Sequence, residues 1–305
     1  MKSAANFFVT LIFIGTIQAQ NVTLQEKLGY PKNTKLLIIH ADDLGVSHSE
    51  NAASISAMEK GSVNSASIMV PCPWFPEIAA YARQHANTDL GLHLTLTSEW
   101  KHLRWGPVAP ISKVPGLVNA KGFMYASADS VHRHATPAEV ETELRAQIDR
   151  ALQFGIDVTH LDSHMGTLFG KEEFLKVYIQ LGRDYRIPVM LSKQMNLTQL
   201  TNNKDVVVDM VYTATPPDFS TGMENYYTKV MKSLQPGVSV LLIHVAYDDP
   251  EMQAVTIDHP DWGAAWRQAD FNYFTSDACR KLLVENNIRL ITWREIRDKV
   301  VRGGK

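Results

Sequence analysis

Two periods alternate along this chain. Short aliphatic or alternating runs at 36–40, 65–70, 89–95, 158–162, 187–191, 206–212, 238–245 and 289–292 read as strands. Between them, apolar residues spaced three and four apart predict helices at 49–60, 75–85, 137–154, 172–184, 224–234 and 271–286. The helix at 137 carries its own start signal. Thr136 is placed to cap it, Pro137 suits its first turn, and Gly155 is a natural stop. Strands and helices in strict turn imply a parallel sheet with crossover helices. No glycine-rich dinucleotide loop follows any strand. The expected fold is therefore α/β, a distorted (β/α) barrel of seven to eight mostly parallel strands, rather than an open nucleotide-binding sheet. Two stretches, 98–135 and 247–270, interrupt the alternation and are expected to be long loops.

Polar residues at the strand ends change the picture. Leu36-Leu37-Ile38-Ile39 wants burial on both faces, yet the run ends in Asp42-Asp43. Adjacent carboxylates oppose joint ionisation unless a cation separates them. An Asp pair after a strand is also a common turn or helix cap, so its company decides. Three other runs bring histidine to or near their ends: His93, the segment His160-Leu161-Asp162-Ser163-His164, and His244. Strand C-termini converge on one face of an α/β barrel. One carboxylate with two imidazoles is a common divalent-metal set that leaves positions open for water and substrate. Asp43, His93 and His164 are the candidate ligands. Asp42 is the candidate general base, and His244, costly to bury unless paired or used, the candidate general acid. Alternation places Asp162 with His160 and His164, where it can orient a metal-bound histidine, while His160 reads as packing. The donor set suits one divalent ion, Zn2+ or Mg2+, with Mn2+ and Co2+ also compatible.

Composition narrows the class. A chain of 305 residues with 45% hydrophobic content can bury a large core, and one domain over 20–305 suffices. A net charge of −2 with scattered Lys and Arg gives no field for a polyanion, so a neutral or weakly charged substrate is expected and nucleic acid is not. Cys72 and Cys279 are too few for a disulfide scaffold or a thiolate metal site. Residues 1–19 read as a signal peptide: Lys2, an apolar stretch from Phe7 to Ile14, and a small-residue cut after Ala19. The apolar stretch is shorter than the roughly 20 residues of a membrane span. A secreted or periplasmic protein without membrane insertion is the resulting expectation. Trp100, Trp105, Trp262 and Trp266 in the two long loops are candidates either for stacking on sugar rings or for anchoring those loops. The charge pattern leaves the oligomeric state open.

The stretches His40-Ala41-Asp42-Asp43-Leu44-Gly45, Gly61 to Val70, Gly91-Leu92-His93-Leu94-Thr95-Leu96-Thr97 and His160-Leu161-Asp162-Ser163-His164 resemble the YdjC-like carbohydrate deacetylase family, which includes chitooligosaccharide deacetylases and hopanoid-associated HpnK proteins. The likeness runs through His244 to the strand at 288–292. It implies a distorted barrel related to polysaccharide deacetylases and hydrolysis of N-acetyl groups from amino sugars. Carried over residue by residue, it implies metal at Asp43, His93 and His164, Asp42 as base and His244 as acid. The chain departs from the family's usual pattern with His40 where asparagine is common, Met165-Gly166-Thr167 where further histidines are usual, and Leu191 where an arginine often stands. An esterase, another amidohydrolase, or an inactive secreted carbohydrate-binding protein are the competing expectations.

Overall fold

The computed structural model describes Met1 and residues 22–197 and 199–303. The leader expected at 1–19 lies outside the described residues, Met1 apart. Seven parallel strands form one curled sheet: β1 Lys35–Leu44, β2 Ser65–Ile68, β3 Leu90–Leu94, β4 Leu161–Ser163, β5 Met210–Thr213, β6 Gly237–His244 and β7 Ile288–Leu290. Their spatial order is β4-β3-β2-β1-β6-β5, with β7 beside the start of β1. Single bridges Leu161↔Val189 and Ser192↔Val208 carry the curl from β4 toward β5. The run expected as a strand at 187–191 thus contributes one bridge rather than a ladder. The strand expected at 206–212 begins its pairing with β6 only at Met210. The long helix expected at 271–286 is two helices, Ala264–Phe274 and Asp277–Glu285, because Ser276 caps the second through the Cys279 N–H. The stretch 247–270 is likewise not a plain loop, since it holds Pro250–Val255 and the start of Ala264–Phe274.

Burial on both faces explains the unbroken aliphatic run of β1. Leu36 and Ile38 join Val238, Val240, Val208 and Met190 in the lumen of the curl, closed below by Trp293 and Ile296. Leu37, Ile39 and Ala41 face the opposite way, into the shell packed against the helices. Above the apolar lumen lies a polar layer. His40 sits between Ser65 and Asp162, and His160 stacks on Trp293 at 5.3 Å between ring centres. Gly91 makes room there, since a Cβ on it would lie 2.4 Å from the His160 ring. The helix Pro137–Gln153 begins at the Thr136 cap, as the sequence predicts, and Glu139 completes a full capping box there. Its buried face anchors the irregular segment after β3: Gln147 holds both the N–H and C=O of Thr95, and Glu143 accepts from the amides of Val108 and Ala109. Cys72 and Cys279 are both free and buried.

Candidate metal centre

Register sets the floor of the site. β1 and β6 pair in step from Lys35↔Gly237 to Asp42↔His244, and β3 pairs with β4 at His93↔Asp162. Asp42 and His244 are therefore neighbours, as are His93 and Asp162. Strict alternation would send Asp42 and Asp43 to opposite faces. An irregularity between Ala41 and Leu44 on the β2 side prevents this. Ala41 pairs with Ala66 and Leu44 with Ile68, so β1 carries one extra residue there, and Asp43 adopts φ 71°. The bulge brings both carboxylates to one mouth. Non-glycine residues in that backbone region are uncommon, with aspartate among those that tolerate it, and they cluster where a site over-determines them.

One oxygen of Asp43 has no hydrogen-bond partner although it is buried: Oδ1. His93 Nε2 lies 3.4 Å from it and His164 Nδ1 3.3 Å. The three candidate ligand atoms all fall within 4.8 Å of one another. Each imidazole is held from behind. His93 Nδ1 is 2.6 Å from Asp162 Oδ1, and His164 Nε2 is 3.0 Å from Glu99 Oε2. With those nitrogens facing carboxylates, His93 Nε2 and His164 Nδ1 are the atoms left toward Asp43 Oδ1, and each would give up its proton to hold a cation there. An orphaned carboxylate oxygen met by two oriented imidazoles is a donor set that fits a divalent cation.

The second oxygen of Asp43 is taken: Arg267 donates to Oδ2 at 2.8 Å, and its other arm reaches Glu50. Burial by itself would raise the Asp43 carboxyl, but Arg267, helped by His164 and His244, holds it well below the usual carboxylate range. His164 shows the same competition in reverse. Burial disfavours its cation, and Glu99 and Asp43 overcome this to push it up to about 10. His244 is different: burial wins, and its imidazole drops to about 4. Its Nε2 lies 3.9 Å from Asp42 Oδ2 and 4.0 Å from Asp43 Oδ2. Asp270, fixed by the Tyr227 hydroxyl, accepts from the His244 backbone amide.

All five residues singled out by sequence thus meet at one mouth, and Asp162 stands behind His93. Three members escaped the sequence reading. Glu99 comes after β3 in an irregular stretch, Arg267 lies in a helix where a loop was expected, and Glu50 sits on the first long helix. The one signal for Arg267 was a cation among aromatic residues. It packs over Trp100, and its Nε donates to the Trp262 carbonyl. Burial removes the sugar-stacking alternative for Trp100, Trp105 and Trp266. Trp262 stacks on Trp266. Trp100 and Trp262 hold Arg267, while Trp105 donates to the Thr97 carbonyl and ties down its own loop.

A family profile described as YdjC-like protein matches residues 36–285. A protein of Thermus thermophilus named carbohydrate deacetylase is 30% identical over 289 residues, spanning 90% of this chain and 98% of its own. One of that name from Geobacillus stearothermophilus is 26% identical across 85% of this chain and 96% of its own. Among solved structures, a putative cellobiose-phosphate cleavage protein from Enterococcus faecalis superposes with a TM-score of 0.73 at 24% identity, covering 86% of this chain and 99% of that one. The curled parallel α/β sheet is thus a fold with a solved counterpart. This chain belongs to the YdjC-like family.

Proposed function

We propose that this chain is a metal-dependent hydrolase that removes N-acetyl groups from amino sugars or short oligosaccharides. The observation that carries the reading is the unpartnered Asp43 Oδ1 faced by His93 Nε2 and His164 Nδ1. Relatives named carbohydrate deacetylase supply the substrate class. Asp43, His93 and His164 would hold one divalent ion, Zn2+ or Mg2+, which would polarise the amide carbonyl and ease deprotonation of a water. Asp42 would take the proton of that attacking water, whose oxygen bonds to the carbonyl carbon. His244, depressed to about 4, starts neutral at physiological pH and so must receive a proton before giving one. Asp42, 3.9 Å away, would pass on the proton it has taken from the water. Delivery of that proton to the nitrogen accompanies cleavage of the C–N bond, leaving carboxylate and free amine. Arg267 keeps Asp43 ionised without entering the reaction.

Elemental analysis of the purified protein, paired with acetate release from N-acetylated glucosamines and from O-acetyl esters, tests this reading. It expects near-stoichiometric divalent metal and amide cleavage. Ester cleavage alone would make the protein an esterase, and sugar binding without release of acetate under any divalent ion would make it a binding protein. The N-terminal stretch supports export of a single 20–305 domain with cleavage after Ala19. The intact mass of the exported protein checks this, and retention of residues 1–19 would overturn it.

A further inference from the structure

We infer that the site takes acyl groups longer than acetyl, held in an apolar cavity that opens beside Asp42 and His93. This deepens the deacylase reading above and rests on it. The cavity has a volume of about 180 Å³. Its mouth is formed by Asp42, His93 and Asp162, and its walls by Phe169, Met190, Met195, Val211 and Leu242, with Ser163, Ser192 and Gln194 between them. Met190, Val211 and Leu242 belong to the apolar lumen of the barrel. Phe169, 39% exposed, and the half-buried Met195 form the adaptable outer wall. Two arguments assign it to the acyl chain. In the reaction above the leaving nitrogen, with its sugar, must approach His244, and His244 does not line this cavity. The remaining substituent on the carbonyl carbon points away from that nitrogen, toward the space that starts at Asp42 and His93. The second argument is chemical: Ser163 Oγ accepts from the Leu168 amide, Ser192 Oγ donates to Gln194 Oε1, and that oxygen also accepts from the Val211 amide, so the polar wall groups are largely engaged and sugar hydroxyls would find few partners, whereas an alkyl chain needs none. Size then sets the class. A water or a methyl group fills roughly 30 Å³, so the cavity holds about six such groups, where an acetyl methyl needs one. With the carbonyl carbon outside, acyl chains of up to about seven carbons fit it.

The test uses glucosamine carrying N-acetyl, N-propionyl, N-butyryl or N-hexanoyl groups, with free amine as the readout. It is paired with calorimetric binding of acetate, butyrate and hexanoate to the metal-loaded and metal-free protein. Each added methylene should raise kcat/KM about fourfold until the cavity is full, and the carboxylates should bind in the same order. Val211→Phe, on the half-buried β5, should shrink the cavity and lower the butyryl-to-acetyl ratio at least tenfold. Loss of activity from propionyl onward, with hexanoate binding no tighter than acetate, would overturn the inference. A chain-length preference that Val211→Phe leaves unchanged would overturn its placement in this cavity. Carboxylates that bind by length while no amide is cleaved would leave the pocket standing and remove the deacylase reading.

Discussion

Replacing His40 by asparagine tests how the chain holds its buried acids together. The His40 ring is fully buried. Its Nδ1 lies 2.9 Å from Ser65 Oγ, and its Nε2 lies 2.8 Å from Asp162 Oδ2 and 2.9 Å from Asp42 Oδ1. Burial opposes the imidazolium, but hydrogen bonds to Asp162 and Asp42 prevail and push it up to about 10 from 6.5. Such a change in proton affinity is worth on the order of 5 kcal/mol. Removing one partner from a buried ion pair costs about 3–5 kcal/mol, so the two routes agree. The folded value lies above the unfolded one, so the stabilisation is fully present below pH 6.5 and is lost as pH rises through about 10. Urea unfolding of the wild type and His40→Asn should therefore differ by about 4 kcal/mol near pH 6.5, by about 2 near pH 8.5, and by almost nothing at pH 10. A gap below about 1 kcal/mol at pH 6.5, or one that does not shrink with pH, would refute an imidazolium clamped between the two carboxylates.

Other perturbations address the site directly. Asp42→Asn removes the proposed base while sparing the ligand set. Acetate release should fall about 10²–10⁴-fold with metal content unchanged, and metal loss in that variant would contradict the division of roles. Glu99→Gln should weaken divalent-metal affinity about 10–100-fold in a chelator competition, because the His164 Nε2 proton loses its charged acceptor, and an unchanged affinity would remove Glu99 from the site's support. Arg267→Met strips the cation from Asp43 and Glu50 and should cost about 3–5 kcal/mol in denaturant unfolding. A neutral result would mean those carboxylates are neutralised in another way. Gly91→Ala places a methyl against the His160 ring, which Trp293 backs, and should destabilise the fold by about 1–3 kcal/mol in the same assay.

Much of the architecture could be read from residue order. A four-residue aliphatic run buried on both faces has to be an inner parallel strand, and β1 is one, flanked by β2, β6 and β7. The Thr136 cap marked a helix start to the residue because capping is a local interaction. Strand-end histidines and aspartates could be picked out as a set, since polar groups on otherwise apolar strands are costly unless used. Events that depend on neighbours distant in the chain could not be read in this way. The bulge at Asp42–Asp43 exists because β1 must match both β6, in unbroken step, and β2, one residue out of step. Neither Glu99 behind His164 nor Arg267 on Asp43 belongs to a periodic pattern. Each is delivered by a segment whose path is fixed by buried tryptophans and by the polar face of a packed helix. Local chemistry therefore determined which residues were available to act. Only the closing of the sheet decided their distances and their charge state, because burial and pairing across hundreds of residues set the electrostatics.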